Sequence, residues 1–92
     1  MNTVSTDPLS PFLAAVAREC ERARRKHPTP IRSLHEGFAI ILEELDEVKA
    51  EVWRQQKNRR ALYTELVQVA AMCQRMAEDC ELAPESPQEE YP

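Results

Sequence analysis

The chain has 92 residues, 42% hydrophobic and 30% charged, which fits one small globular domain and excludes a disordered or multidomain chain. Its net charge of −4 comes from the end: residues 1–80 hold 12 Lys and Arg against 12 Asp and Glu, and residues 81–92 add four Glu and no base. A neutral body with an acidic tail carries no footprint for nucleic acid, and no apolar run approaches the roughly 18 residues of a membrane span.

Cys20, Cys73 and Cys80 form no CxxC pair and read as small buried hydrophobes of a reducing compartment. Nothing resembles a signal peptide, so a cytoplasmic protein is expected. The single Gly and the seven Pro leave two breaker-poor stretches that only helices fit, and the expected fold class is all-α.

Residues 1–9 read as a flexible polar leader. Ser10-Pro11 is a helix start, with Ser as N-cap and Pro at the first helical position, where its missing N–H costs nothing. Phe12, Val16, Cys20 and Ala23 then recur at helical spacing, flanked by Leu13 and Ala17, and predict a first helix over about 11–26. Its basic end, Arg24-Arg25-Lys26, suits the helix dipole, with phosphate contact as the alternative. His27-Pro28-Thr29-Pro30 stops it.

Ser33-x-x-Glu36 is a capping box opening a second helix over about 34–56. Its apolar stripe is Leu34, Phe38, Ile41, Leu45, Val48 and Val52, extended by Ile40 and Leu42 on either flank, the face expected to pack. Lys57-Asn58-Arg59-Arg60 is the next polar break, and Asn58 can cap a third helix over about 59–80. That helix carries Leu62, Leu66, Val69, Cys73, Met76 and Cys80, and between Val67 and Cys73 only Gln68 is polar. So broad an apolar coat suggests a homodimer interface around Val67–Met76. After Glu81 the chain becomes an acidic Pro-rich tail without regular structure, leaving 10–80 as the domain.

A connection of two residues makes helices two and three a long antiparallel hairpin, with helix one packed across it. Glu44 and Glu47 share one helical face, as do Glu65 and Gln68, and the two pairs are symmetric about Gln56. Three carboxylates and an amide oxygen converging halfway up a bundle suit a hard divalent cation such as Mg²⁺ or Mn²⁺. Glu43 stands beside them as a group able to orient or deprotonate an attacking water. The plainer alternative is a solvated acidic helix face.

The box Glu43-Glu44-x-x-Glu47, followed by Glu65-x-x-Gln68, resembles the EExxE and ExxD signature of the MazG-like all-α nucleotide pyrophosphohydrolases over about residues 10–80. The resemblance implies an all-α helical bundle assembled as a homodimer or tetramer. It also implies Mg²⁺-dependent cleavage of a nucleoside triphosphate to the monophosphate and pyrophosphate. Glu44, Glu47 and Glu65 would be metal ligands and Glu43 the assisting carboxylate. Gln68 departs from the pattern, an uncharged oxygen where an acid is usual, and the chain lacks the further helix that usually supplies polar and basic groups. Lys57, Arg59, Arg60, Arg75 or the Arg24–Lys26 cluster are then the candidates for the substrate phosphates. The departures keep a second reading open, a non-catalytic nucleotide-binding or helical interaction protein. His27 and His35 have no ligand spacing, and Trp53 reads as an edge or interface anchor, with base stacking as the alternative.

Overall fold

A computed structural model of the chain describes residues 10–82. Among them are three α-helices and no strand: α1 (Pro11–Lys26), α2 (Leu34–Val52) and α3 (Arg59–Asp79). The expected leader (1–9) and the Pro-rich tail from position 83 onward lie outside the described residues. No described helix is long and apolar enough to cross a membrane.

All three helix starts follow the local chemistry of the sequence. The Ser10 hydroxyl accepts the Leu13 N–H at 3.1 Å, Ser33 that of Glu36 at 3.0 Å, and the Asn58 amide oxygen that of Ala61 at 3.0 Å. The capping box is offset on its return arm, where Glu36 accepts from the Arg32 N–H at 2.8 Å instead of from Ser33. At the other end, α3 closes in a Schellman motif: Glu81 adopts φ 57°, the Leu82 N–H reaches the Ala77 carbonyl at 2.8 Å, and the Glu81 N–H reaches Glu78 at 3.2 Å.

The second helix is shorter than the sequence suggests, ending at Val52 instead of near 56, and the connection to α3 has six residues (53–58), not two. The cause lies in Lys57, whose ammonium turns back to donate to the carbonyls of Val52 and Arg54. Carbonyls that a further turn would have satisfied are thereby capped by a cation at the negative end of the dipole. Trp53, at φ −88° and ψ 0°, turns the chain out and is 73% exposed.

The helices run up, down and up around α3. Phe12 meets Tyr63 edge-on at 5.8 Å between ring centroids, and at the opposite end Arg24 Nη1 lies 2.8 Å from Asp79 Oδ1. α1 therefore runs parallel to α3, with α2 antiparallel to both. Helix one packs chiefly on α3, with no backbone contact to α2, and the two outer helices meet only through side chains at the shared core. The core is Val16, Cys20 and Ala23 of α1 against Val67, Ala71 and Met72 of α3, with Ile40 and Ile41 of α2 closing it. Of the cysteines Cys20 is buried, whereas Cys73 is exposed and Cys80 intermediate, so the expectation of three buried thiols holds only for the first.

Two further expectations are corrected. Only part of the α2 stripe faces α3: Ile41, with Ile40 on its flank, packs on the core, whereas Leu34, Phe38 and Leu45 are 46–62% exposed and Val52 is 38% exposed. The face turned to α3 lies about a quarter-turn away and carries Gly37, Ile40, Glu44 and Glu51, at steps of three, four and seven. Gly37 sets this approach, since a Cβ there would sit 2.6 Å from Met76 Cγ and Sδ. The second correction concerns the homodimer surface around Val67–Met76. Val67, Ala71 and Met72 are buried within the protomer against α1 and α2, so these three are spent on the core, while Cys73 stays exposed.

Arg75 ties the α1–α2 connection to α3. Its side chain is 6% exposed, and Nη2 donates to the carbonyls of His27 and Thr29, each at 3.3 Å. Asp79 receives the Ile31 N–H at 2.9 Å as well as Arg24. Burial pushes the Asp79 carboxyl up, but the Ile31 N–H and the Arg24 and Arg75 guanidiniums together hold it below its ordinary value.

Candidate metal centre

Glu44 lies on the α2 face that Gly37 brings against α3, and Glu47 one turn further on borders it. The hairpin register does keep the expected symmetry about Gln56, so these two acids come level with Gln68 and Glu65. Glu44, Glu47 and Glu65 each offer one carboxylate oxygen, and the three oxygens lie within 4.8 Å of one another. Glu44 and Glu65 are half-buried and Glu47 is exposed.

Like charges this close compete for protons. Burial, followed by the charges of Glu47, Glu43 and Glu19, pushes the Glu44 carboxyl up. Burial, with a hydrogen bond to Glu47 and the charges of Glu47, Glu44 and Glu51, pushes Glu65 up to about 7 from an ordinary 4.5. The folded state thus holds this proton more tightly than the unfolded chain does. Stability contributed by the protonated group is present below 4.5 and is lost as pH rises to about 7. A divalent cation that displaces the proton binds more weakly on the acid side: Mn²⁺ affinity should fall about tenfold per pH unit below 7. Titrations at pH 6 and pH 8 check this, and equal affinities would contradict it.

The fourth side chain can serve the cluster in two ways. With its amide nitrogen turned inward, Gln68 donates to Glu44 Oε1 and Glu65 Oε1, both at 3.2 Å. With its oxygen inward it adds a fourth oxygen beside the three carboxylates. The donor set suits a hard cation. Neighbouring oxygens around Mg²⁺ are about 3 Å apart and opposite ones about 4.2 Å, so carboxylates within 4.8 Å would draw inward on binding an ion. Gln68→Glu should tighten Mn²⁺ binding at pH 8 by about tenfold through the added charge. Unchanged or weaker affinity would place residue 68 away from the ion.

Glu43 does not join the cluster. It is exposed, and with Glu44 it lines a groove of about 400 Å³ floored by Ile40 and Met72 and bounded by Arg75 and His27. Of the basic candidates, Lys57 is held on backbone carbonyls and Arg75 is buried. Arg24 is paired with Glu78 at 2.7 Å and Asp79 at 2.8 Å. Arg59 and Arg60 are exposed in the first turn of α3, about 8 Å along the helix from Glu65. His35 is exposed at the start of α2, apart from the acids.

Two acids that the sequence reading passed over belong to the surroundings. Glu51 shares the face of Glu44 and Glu47, a signal legible in the spacing 44, 47, 51; its Oε1 is buried without a partner while Oε2 accepts from Arg54 at 3.2 Å. Glu19 of α1 adds its charge to Glu44 from across the fold. Periodicity within α1 gives no hint of that approach. No family model, curated protein or solved structure matches this chain.

Proposed function

We propose that the protein is a Mg²⁺- or Mn²⁺-dependent nucleotide pyrophosphohydrolase of the MazG-like kind, cleaving a nucleoside triphosphate to the monophosphate and pyrophosphate. The observation that carries this reading is the convergence of Glu44, Glu47 and Glu65 at the middle of the α2–α3 seam. A bound cation would neutralise charge developing on the phosphate oxygens and acidify the attacking water. Glu44, Glu47 and Glu65 would hold that ion, and Gln68 would turn its amide oxygen inward. Glu43, at the edge of the groove, would accept the proton of the water that attacks phosphorus, while the bond to the bridging oxygen breaks and pyrophosphate leaves. The groove beside Glu43 and Glu44 is where the organic part of the substrate would rest.

A non-catalytic nucleotide-binding or helical interaction protein is the second reading, and Gln68 favours it. An amide donating to Glu44 and Glu65, with a proton between Glu47 and Glu65, satisfies the cluster without an ion. A pyrophosphate-release screen over the common and deoxy nucleoside triphosphates, with Mg²⁺ and with Mn²⁺, separates the two. Release of pyrophosphate supports the enzyme, and binding without release supports the second reading.

The assembly follows from the exposed α2 stripe. Leu34, Phe38, Leu42, Leu45 and Val52 are exposed along the length of α2, about 27 Å, with the half-buried Val48 beside them and no charge among the six. A second copy of this chain, laying the same stripe against it about a two-fold axis, would cover both at once. Light scattering should give a dimer for the wild type and a monomer for Phe38→Glu; a monomeric wild type would contradict the assembly.

A further inference from the structure

Three carboxylates around one divalent cation leave the centre with a net charge of about −1, so cationic side chains beside the ion would strengthen its hold on a phosphate chain. Such charge would come from groups within reach. Arg24 bridges Glu78 and Asp79, Lys57 and Arg75 hold backbone carbonyls, and the exposed Arg59 and Arg60 lie about 8 Å along α3 from Glu65, at the turn end of the hairpin. A groove of about 250 Å³ between α1 and α3 meets the cluster at Gln68, and it is lined by Arg18, Glu19, Arg22, Tyr63 and Thr64. Gln68 is therefore shared: its amide faces Glu44 and Glu65, and its side chain walls this groove.

We infer that this α1–α3 groove is an oligophosphate subsite in which Arg18 and Arg22 hold the pyrophosphate portion of the substrate and of the product. The inference rests on the proposed hydrolase reading and names the groups that complete it. Arg18 is exposed and makes no ion pair among the described residues. Arg22 is held by Glu19 through two bonds, Nε at 2.9 Å and Nη2 at 2.7 Å, with its side chain half exposed. Such an exposed pair is easily exchanged for a better anion, and a guanidinium fork fits a phosphate as it fits a carboxylate. The hydroxyls of Tyr63 and Thr64 add neutral donors on the opposite wall. Glu19 acts as the counterweight, occupying Arg22 and adding negative charge near Glu44 until a phosphate displaces it.

The test is calorimetric binding of inorganic pyrophosphate to the full chain, in saturating Mn²⁺ and separately in a chelator. In Mn²⁺, the Arg18→Gln/Arg22→Gln double variant should bind pyrophosphate about 30-fold more weakly with its Mn²⁺ affinity unchanged. Glu19→Gln, which frees Arg22, should bind it severalfold more tightly, a gain that a merely structural role would not produce. If the double variant takes up Mn²⁺ normally and binds pyrophosphate like the wild type, the subsite is refuted while the hydrolase reading stands. If the wild type takes up no Mn²⁺, the hydrolase reading fails and the chelator arm decides the subsite by itself. Weak, salt-sensitive pyrophosphate binding lost in the double variant then supports the groove, and binding that is absent or unchanged overturns it.

Discussion

Glu47→Gln is expected to lower pyrophosphate release by about a thousandfold while leaving the fold intact. The side chain is exposed and contributes nothing to the apolar core, so its amide should be tolerated structurally. What changes is the charge offered to the ion, since one of three carboxylates whose oxygens lie within 4.8 Å becomes neutral. The substitution also removes a negative neighbour that pushes Glu65 up, so the proton on Glu65 should leave at lower pH. Activity within tenfold of the wild type, with an unchanged thermal midpoint, would mean that the catalytic ion is held elsewhere.

The second large effect is on stability. Arg75→Met is expected to destabilise the protein by about 3 kcal/mol, lowering the thermal midpoint by about 15 °C. Methionine fills much the same volume but leaves the His27 and Thr29 carbonyls without their donor, each now 3.3 Å from Nη2. It also withdraws one of the charges that hold Asp79 down. Asp79 contributes stability above its ordinary 3.8 that is lost as pH falls through its depressed value, so the variant should also unfold at higher pH in acid. A midpoint within about 5 °C of the wild type would show that water replaces the guanidinium at those carbonyls.

How much of this was legible from residues alone depends on the range of the interaction. The caps at Ser10, Ser33 and Asn58 are chosen within three residues, and each bond formed where the sequence places it. The register of the hairpin was equally legible, because lengthening the connection to six residues moved its ends and kept its middle. The end of α2 was not, since no breaker marks it and Lys57 acts backward across the turn. The stripe on α2 tells which face is apolar but not which neighbour covers it. The chain's only glycine, in line with Ile40, Glu44 and Glu51, was the available pointer to the face that meets α3. Arg18, Glu19 and Arg22 lie outside the apolar stripe of α1, and only the parallel pairing of α1 with α3 brings them beside Gln68.

A calorimetric titration of the full chain with Mn²⁺ at pH 8, run on the wild type and on Glu44→Gln, tests the cation centre most directly. Saturable uptake by the wild type that is lost in the variant, with circular dichroism and thermal midpoint matching in the two proteins, is the expected result. No uptake by either protein, or equal uptake by both, would contradict a cation centre at the α2–α3 seam.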